Sequence, residues 1–344
     1  MKKYYIITLL FLSLLYISCE EFILGPDPEN TPENNFDILW REFDLYYPSF
    51  IIKGIDWDSL YTVYRTQITS QTTDNDLWFI MRSLLRNLDD LHVEMYDANG
   101  RYFLSSHTYY DENKFSLPLI KYKYLKNKFN TAGGGNYTYG RLGRDSIGYL
   151  YIGTFFGDIS WTYDIDNIVS ELSDVKVMIV DLRDNSGGYT SNLKNVASAF
   201  VTSSVTYSQT IARNGPNHND FTPPFFNKVI PRLNSPHFTK RIIVLTNGET
   251  ASASESFSLF FKQLPYSEQI GVSTAGGLGR IRGFQLPNGW LYHMSTSLDL
   301  TVEGNSLENI GVSPDIYVEN TEAEIESGFD RQLEFTLQYL SKGK

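Results

Sequence analysis

Apolar and polar positions recur along this chain with two different periods, and the periods place its elements. Three stretches near the start repeat at helical spacing. Phe36, Leu39, Trp40, Phe43 and Tyr47 form one stripe. Trp57, Leu60, Tyr61, Tyr64 and Ile68 form a second. Leu77, Ile80, Met81, Leu84, Leu85 and Leu88 form a third, with Thr73 or Asp74 as its cap. Together they predict a small helical bundle within residues 36–100, with a hairpin turn at Asp97-Ala98-Asn99-Gly100. Further on, residues 147–152, 177–180 and 241–245 read as buried strands. The second runs through a turn into a helix over 189–200. The third runs through a turn into an amphipathic helix ending near Leu264. Residues 290–300 read as a strand. Thr321 is expected to cap a last helix that turns Phe329, Leu333, Leu337 and Leu340 inward. Residues 203–240 hold Asn217, Pro223, Pro224 and Pro236 without clear periodicity, which predicts a loop or flap. The glycine run at 132–136 predicts a flexible loop. The pattern is α/β (α+β): a helical subdomain over 36–100, then a mixed core over 101–344.

Candidate chemistry sits in the two strand–turn–helix units, whose turns lie at strand carboxyl ends, the edge where open α/β folds build sites. One turn reads Thr250-Ala251-Ser252-Ala253-Ser254-Glu255. The first N–H groups of a helix lack internal partners and carry partial positive charge. A serine at that place can expose its oxygen beside amides able to hold a developing oxyanion. Ser252 and Glu255 also fit an ordinary capping box, S-x-x-E, so these six residues leave both readings open. The other turn, Asp181 to Gly188, ends in Gly187-Gly188, which permits positive φ and close backbone approach or simply a tight turn.

The copies of D-L-R-x-N-x-G-G at 181–188, T-A-S-A-S-E at 250–255, G-x-x-T-x-G-G at 271–277 and G-V-x-P-D at 311–315 resemble the S41 serine peptidases. That family includes the C-terminal processing peptidases and the tricorn-core and retinoid-binding-protein-like branch. The resemblance covers residues 34–340. It implies a ClpP/crotonase-like core and hydrolysis of peptide bonds in proteins or peptides. It implies Ser252 as nucleophile, with an oxyanion hole from Ala253 and from Gly187 or Gly188. Processing peptidases place a lysine base where this chain has Gly277. The resemblance to the tricorn-like branch instead implies a histidine, matched by His92 in Leu88-Asp89-Asp90-Leu91-His92. Histidine suits general-base work near neutral pH. His293 is the runner-up, while His218 and His237 read as solvated. Glu308, just ahead of Gly311-Val312, matches the branch's auxiliary acid. Leu91 stands where that branch has a second serine. Gly277 and Leu91 therefore leave open an inactive S41-fold lipoprotein that binds peptides or hydrophobic ligands. Processing peptidases usually carry a PDZ domain, and the 50 or so residues between His92 and Ile147 are short for one. The PDZ is expected to be absent or reduced.

Composition narrows the remainder. With 344 residues the chain can bury a large core. Charged residues make up 20% and aromatics 15%, which excludes a disordered chain. The net charge of −11 and the absence of basic clusters argue against nucleic acid. No metal cluster or cofactor motif is found, and no cofactor is expected. The first 19 residues read as a lipoprotein signal peptide. Lys2-Lys3 precedes an apolar segment, 4–17, which ends at Ser18-Cys19, and Cys19 is the only cysteine. This looks like a bacterial lipobox and makes Cys19 the expected site of lipid attachment. A tether over 20–35 would follow. The expected location is the envelope of a Gram-negative bacterium, anchored to the membrane by lipid. Substrate, oligomeric state and the membrane face are left open.

Overall fold

The computed structural model describes residues 28–107, 114–143 and 146–342. The signal peptide, Cys19 and most of the expected tether lie outside the described residues. Four helices open the described chain: α1 (Pro32–Tyr46), α2 (Phe50–Lys53), α3 (Trp57–Arg65) and α4 (Asp74–Leu85). Three of them begin where side-chain caps allow. Thr31, Asp56 and Thr73 each accept a first-turn amide, and Pro32 occupies the first helical position of α1. The tether therefore ends earlier than the expected Asn35, which is helical and buried. The T-P-E signal for that start stands in the sequence at 31–33.

β1 (Glu94–Tyr96) and β2 (Tyr102–Leu104) form the hairpin predicted around Asp97-Gly100. β3 (Phe129–Ala132) and β4 (Tyr137–Leu142) follow, then β5 (Ile147–Ile152), α5 (Ile165–Glu171) and β6 (Val177–Asp181). After α6 (Thr190–Ala197) come β7 (Val205–Ala212), β8 (Phe225–Val229) and β9 (Arg241–Thr246). The rest is α7 (Ala253–Lys262), β10 (Ser267–Gly271), β11 (Ile281–Gln285), β12 (Leu291–Ser295), β13 (Ser297–Leu300), β14 (Ile316–Tyr317), α8 (Glu322–Glu326) and α9 (Arg331–Ser341). The central sheet runs β14-β10-β9-β6-β5-β4-β3, parallel from β14 to β5 and antiparallel beyond. Its two faces carry separate apolar clusters, one with α5, α6 and α7, the other with α9. The gap in which a PDZ domain was weighed holds β3 and β4, which extend the core sheet.

Several sequence expectations are corrected here. Residues 203–240 are not a flap: β7 and β8 pair with each other, and β7 with β13. The strand β7 is buried on both faces from Tyr207 to Thr210, and Ser208, Gln209 and Thr210 there are polar, so no period-2 signal shows. Its amides and hydroxyls find partners instead, as in Asn227 Nδ2 donating to Ser208 and Thr210. The glycine run is a tight turn between β3 and β4, with the Gly133 amide donating to Asp164 at 2.8 Å. The C-terminal helix is two helices: Thr321 caps α8, Asp330 caps α9, and Phe329 between them is exposed. Packing also ignores the boundary at residue 100. β11 and β12 join β1 and β2 in one antiparallel sheet. That sheet packs Tyr292, Trp290 and Met294 into the cluster of the N-terminal helices. Among the described residues no helix is long and apolar enough to cross a membrane.

The carboxyl edge of the central sheet is locked by a buried ion cluster. Arg183, fully buried just beyond β6, donates to both Asp181 oxygens and to both oxygens of Asp330 at the start of α9. Tyr149 on β5 donates to Asp181 at 2.7 Å. Removing one partner from such a cluster strands the others without compensation. Arg183→Met should therefore lower unfolding stability by about 3–5 kcal/mol, read as a fall in the urea midpoint at unchanged slope.

Candidate active site

The loops after β6, β9 and β10 converge at this carboxyl edge. After β9 the chain turns through Asn247–Ala251 and enters α7 with Ser252 at φ +54°, ψ −119°. Such a backbone is rare outside glycine and costs on the order of 1–3 kcal/mol. It is not a capping conformation, which lies in the β region. Of the capping box, the Glu255 half is made: its Oε2 accepts from the Ser252 amide at 2.9 Å. The same buried carboxylate also accepts from Thr274 Oγ1 at 2.7 Å and from the amides of Gly276 (2.7 Å) and Gly277 (2.9 Å). Burial pushes the Glu255 carboxyl up, and those four donors oppose the push without cancelling it. Ser252 itself is half-buried and lines a cavity of about 570 Å³.

The glycine turn after β6 closes against this elbow. A Cβ at Gly187 would fall 2.8 Å from both the Ala253 nitrogen and Ser252 Cβ, and one at Gly188 would fall 2.2 Å from the Phe155 carbonyl carbon. Both have φ above +100°, so only glycine fits. Asn185 holds the turn. It donates to Ile152 O (2.9 Å), accepts from the Gly187 amide (2.9 Å), and its carbonyl accepts from Ala251 N (3.0 Å). Of the two glycine amides offered by the sequence, Gly187's is thus engaged with Asn185. The amides of Gly188 and Ala253 make no hydrogen bond among the described residues, and both residues line the cavity. They are the pair available to hold an oxyanion.

His92 comes from the loop between the short helical turn 86–88 and β1. Its amide donates to Asp90 Oδ1 at 2.7 Å, and its ring Nδ1 lies 2.9 Å from Ser295 Oγ at the end of β12. The residue is buried and lines the same cavity as Ser252. Burial pulls the imidazole below its ordinary value, with Asp90, Glu94 and Asp299 opposing and Lys53 assisting. The fold therefore brings together Ser252, His92, Gly188 and Ala253 on one cavity. Glu308 is placed differently: it is buried, is absent from the cavity wall and lies 3.1 Å from Lys53 Nζ. Glu308 therefore reaches the cavity only through other residues.

The four remaining histidines each have a partner, His107 Nδ1 lying 3.4 Å from Asp89 Oδ1. His293 on β12 bonds Glu94 at 3.1 Å and does not line the cavity. His218 and His237, expected to be solvated, are half-buried and partnered. His218 bonds Asp44 at 2.7 Å and packs on Phe50, and His237 lies 3.2 Å from Ser198 O. Ser295 and Asp299 carry no signal in the sequence, while Asn185 is legible there only as the N of D-L-R-x-N-x-G-G. Asp299 lines the cavity, accepts from Thr210 Oγ1 at 2.5 Å and has its carboxyl pushed up by burial. Among the described residues no group of three His, Cys, Asp or Glu is placed to hold a metal.

A serine on a strained strand–helix turn, two open amides and a histidine on one cavity is an acyl-transfer arrangement. The profile of peptidase family S41 matches residues 146–318, just over half of the chain, and that of the tricorn protease C1 domain matches residues 28–86. The chain belongs to peptidase family S41. It is 30% identical over 205 residues to a carboxy-terminal-processing protease of Bartonella bacilliformis, covering 58% of this chain and 45% of that protein. It is 25% identical over 174 residues to the carboxy-terminal processing protease CtpB of Bacillus subtilis, covering 50% and 34%. The chain thus spans less than half the length of these curated relatives. A crystal structure of a candidate peptidase from Parabacteroides merdae superposes with a TM-score of 0.82 at 29% identity, over 91% of this chain and 97% of that one.

In this S41 chain the elbow depends on one carboxylate. Glu255→Gln keeps the volume but turns an amide NH2 toward donors. It should cost about 1–3 kcal/mol of stability in urea unfolding, the penalty for buried groups left unsatisfied.

Proposed function

We propose that the protein is a serine peptidase of the tricorn-like S41 branch. Ser252 Oγ attacks the scissile carbonyl and His92 accepts its proton. The amides of Gly188 and Ala253 receive the developing oxyanion; loss of one such donor typically costs 10²–10³ in kcat, or about 2.7–4 kcal/mol. The imidazolium then protonates the leaving amine. A water, deprotonated by the same imidazole, releases the acyl group from Ser252. The observation that carries this reading is the shared cavity of Ser252, His92 and the two free amides. His92 and Ser252 are not hydrogen-bonded in the free site, which is common before substrate aligns the pair. The substrates are proteins or peptides of the cell envelope, reached from a lipid anchor at Cys19. The competing reading is an S41-fold lipoprotein that binds without cleaving.

A fluorophosphonate probe should label Ser252 and should fail on Ser252→Ala with the fold retained. No labelling of wild type and no turnover across a broad peptide panel would favour the binding protein. His92→Gln should lose at least about 10² in kcat/KM. The acid limb of kcat/KM has a defined sign. Protonation of His92 abolishes the base, so activity falls as pH drops through its pKa. Burial places that pKa below the ordinary value of about 6.5, so the limb should lie below 6.5. Gly277→Lys should not restore His92→Gln, since a Cβ at Gly277 already meets Leu91 Cδ1 at 2.9 Å.

For the anchor, mass spectrometry of the mature N-terminal peptide should show an acylated Cys19. An unmodified first peptide from soluble protein would refute it.

A further inference from the structure

Behind the cavity, three segments meet on one ammonium group. Lys53, the last residue of α2, is half-buried as a residue, with its side chain 9% exposed. Its Nζ donates to Asp89 O at 2.7 Å and to Asn309 Oδ1 at 3.2 Å, and lies 3.1 Å from Glu308 Oε1. Asp90 Oδ2 is 4.0 Å away and accepts from Tyr47 OH at 2.7 Å. The other Asp90 oxygen takes the His92 amide. Asn309 Nδ2 adds a second bond to Asp89 O at 3.0 Å. The loop that carries His92 is thus tied on one side to the N-terminal helices and on the other to the 308–309 loop. Leu91, the residue ahead of the histidine, supplies no polar group to this junction.

We propose that Lys53 is a positioning residue for His92, holding loop 89–92 against the 308–309 loop so that the imidazole shares the cavity of Ser252. This rests on the reading of His92 as the base. Lys53 lies outside the matched S41 profile, so the clamp links the N-terminal region to the chemistry of the core. The cluster sets one cation against two carboxyl groups. Burial first, then Asp90, pushes Glu308 well up toward its protonated form, with Lys53 opposing.

Lys53 also acts on His92 by charge. The charged groups acting on the imidazole are Asp90, Glu94 and Asp299, which favour its protonation, and Lys53, which opposes it. Replacing the ammonium with a neutral side chain removes the opposing charge. The His92 midpoint must then move to higher pH. A residue that only filled space would leave it unmoved.

The test uses the full chain with two readouts: the His92 imidazole titration followed by NMR, and the pH dependence of fluorophosphonate labelling. Lys53→Met should raise the His92 midpoint, shift the acid limb of labelling upward with it, and lower the plateau rate on the order of tenfold. Lys53→Arg keeps the charge and should leave the midpoint near wild type, with a plateau between the two. If Lys53→Met does not fold, Lys53→Gln carries the same midpoint readout. An unshifted midpoint in the neutral variant, with His92→Gln inactive, would overturn the inference and spare the peptidase reading. A shifted midpoint in a protein whose wild type never labels would support the clamp and sink the peptidase reading.

Discussion

The Glu255 carboxylate is the constraint from which the rest of the site follows. It is buried, which is costly for an ionisable group, and it is tolerated because four donors converge on it. Those donors come from two loops, 252 and 274–277, at the ends of adjacent parallel strands. Binding the Ser252 amide from inside the helix fixes that residue at positive φ. Binding Gly276 and Gly277 fixes the neighbouring loop at the same distance from the elbow. Local strain at Ser252 persists because the surroundings over-determine it. The glycine turn must then fit into what space remains, and this is why Gly187 admits no Cβ, while Gly188 is closed off from its other side by Phe155 and Phe156.

The other ordered motifs serve that arrangement at one remove. Val312 N donates to Thr274 Oγ1, which in turn donates to Glu255. Gly311 passes so close to Thr274 that a Cβ would fall 2.0 Å from its carbonyl oxygen. Asp315 accepts from the Gln269 amide and pairs with Lys262 at the end of α7. Arg183 fixes the strand end from which the glycine turn departs. A chain of hydrogen bonds thus runs from G-V-x-P-D to the Ser252 amide, and D-L-R anchors the glycine turn. None of these residues needs to touch a substrate for its loss to misplace the chemistry.

The sequence was most legible where a feature is local. The helical stripes, the buried strands and the two strand–turn–helix units depend on neighbours within a few residues, and they fold as the spacing predicts. Glu255 was visible only as a capping residue, because its partners Thr274, Gly276 and Gly277 lie about twenty residues on. The β7–β8 pair was hidden by buried polar residues that satisfy one another across strands. Pairing of β1 with β12 joins residues about 200 apart and leaves no trace in either stretch. Ser295, Asp299 and Lys53 share this fate. Each is an ordinary polar residue in sequence and gains a role only from what the fold places beside it.

The two halves of the site belong to different packing units. Ala253, beside Ser252, packs with the helices on one face of the central sheet. Val93 and Met95, near His92, pack with the N-terminal helices and the β11–β12 hairpin. Their alignment therefore rests on a few contacts where the units meet. One is the junction of Lys53, Asp89 and Asn309. Another is Leu91 against Gly277, where the absence of a Cβ lets the loop that carries His92 close onto the 274–277 loop. This gives Gly277 a physical meaning that its sequence position did not. A Cβ at Gly277 would fall 2.9 Å from Leu91 Cδ1 and 3.0 Å from Leu91 Cβ, so the two loops would have to part by a few tenths of an ångström to admit one.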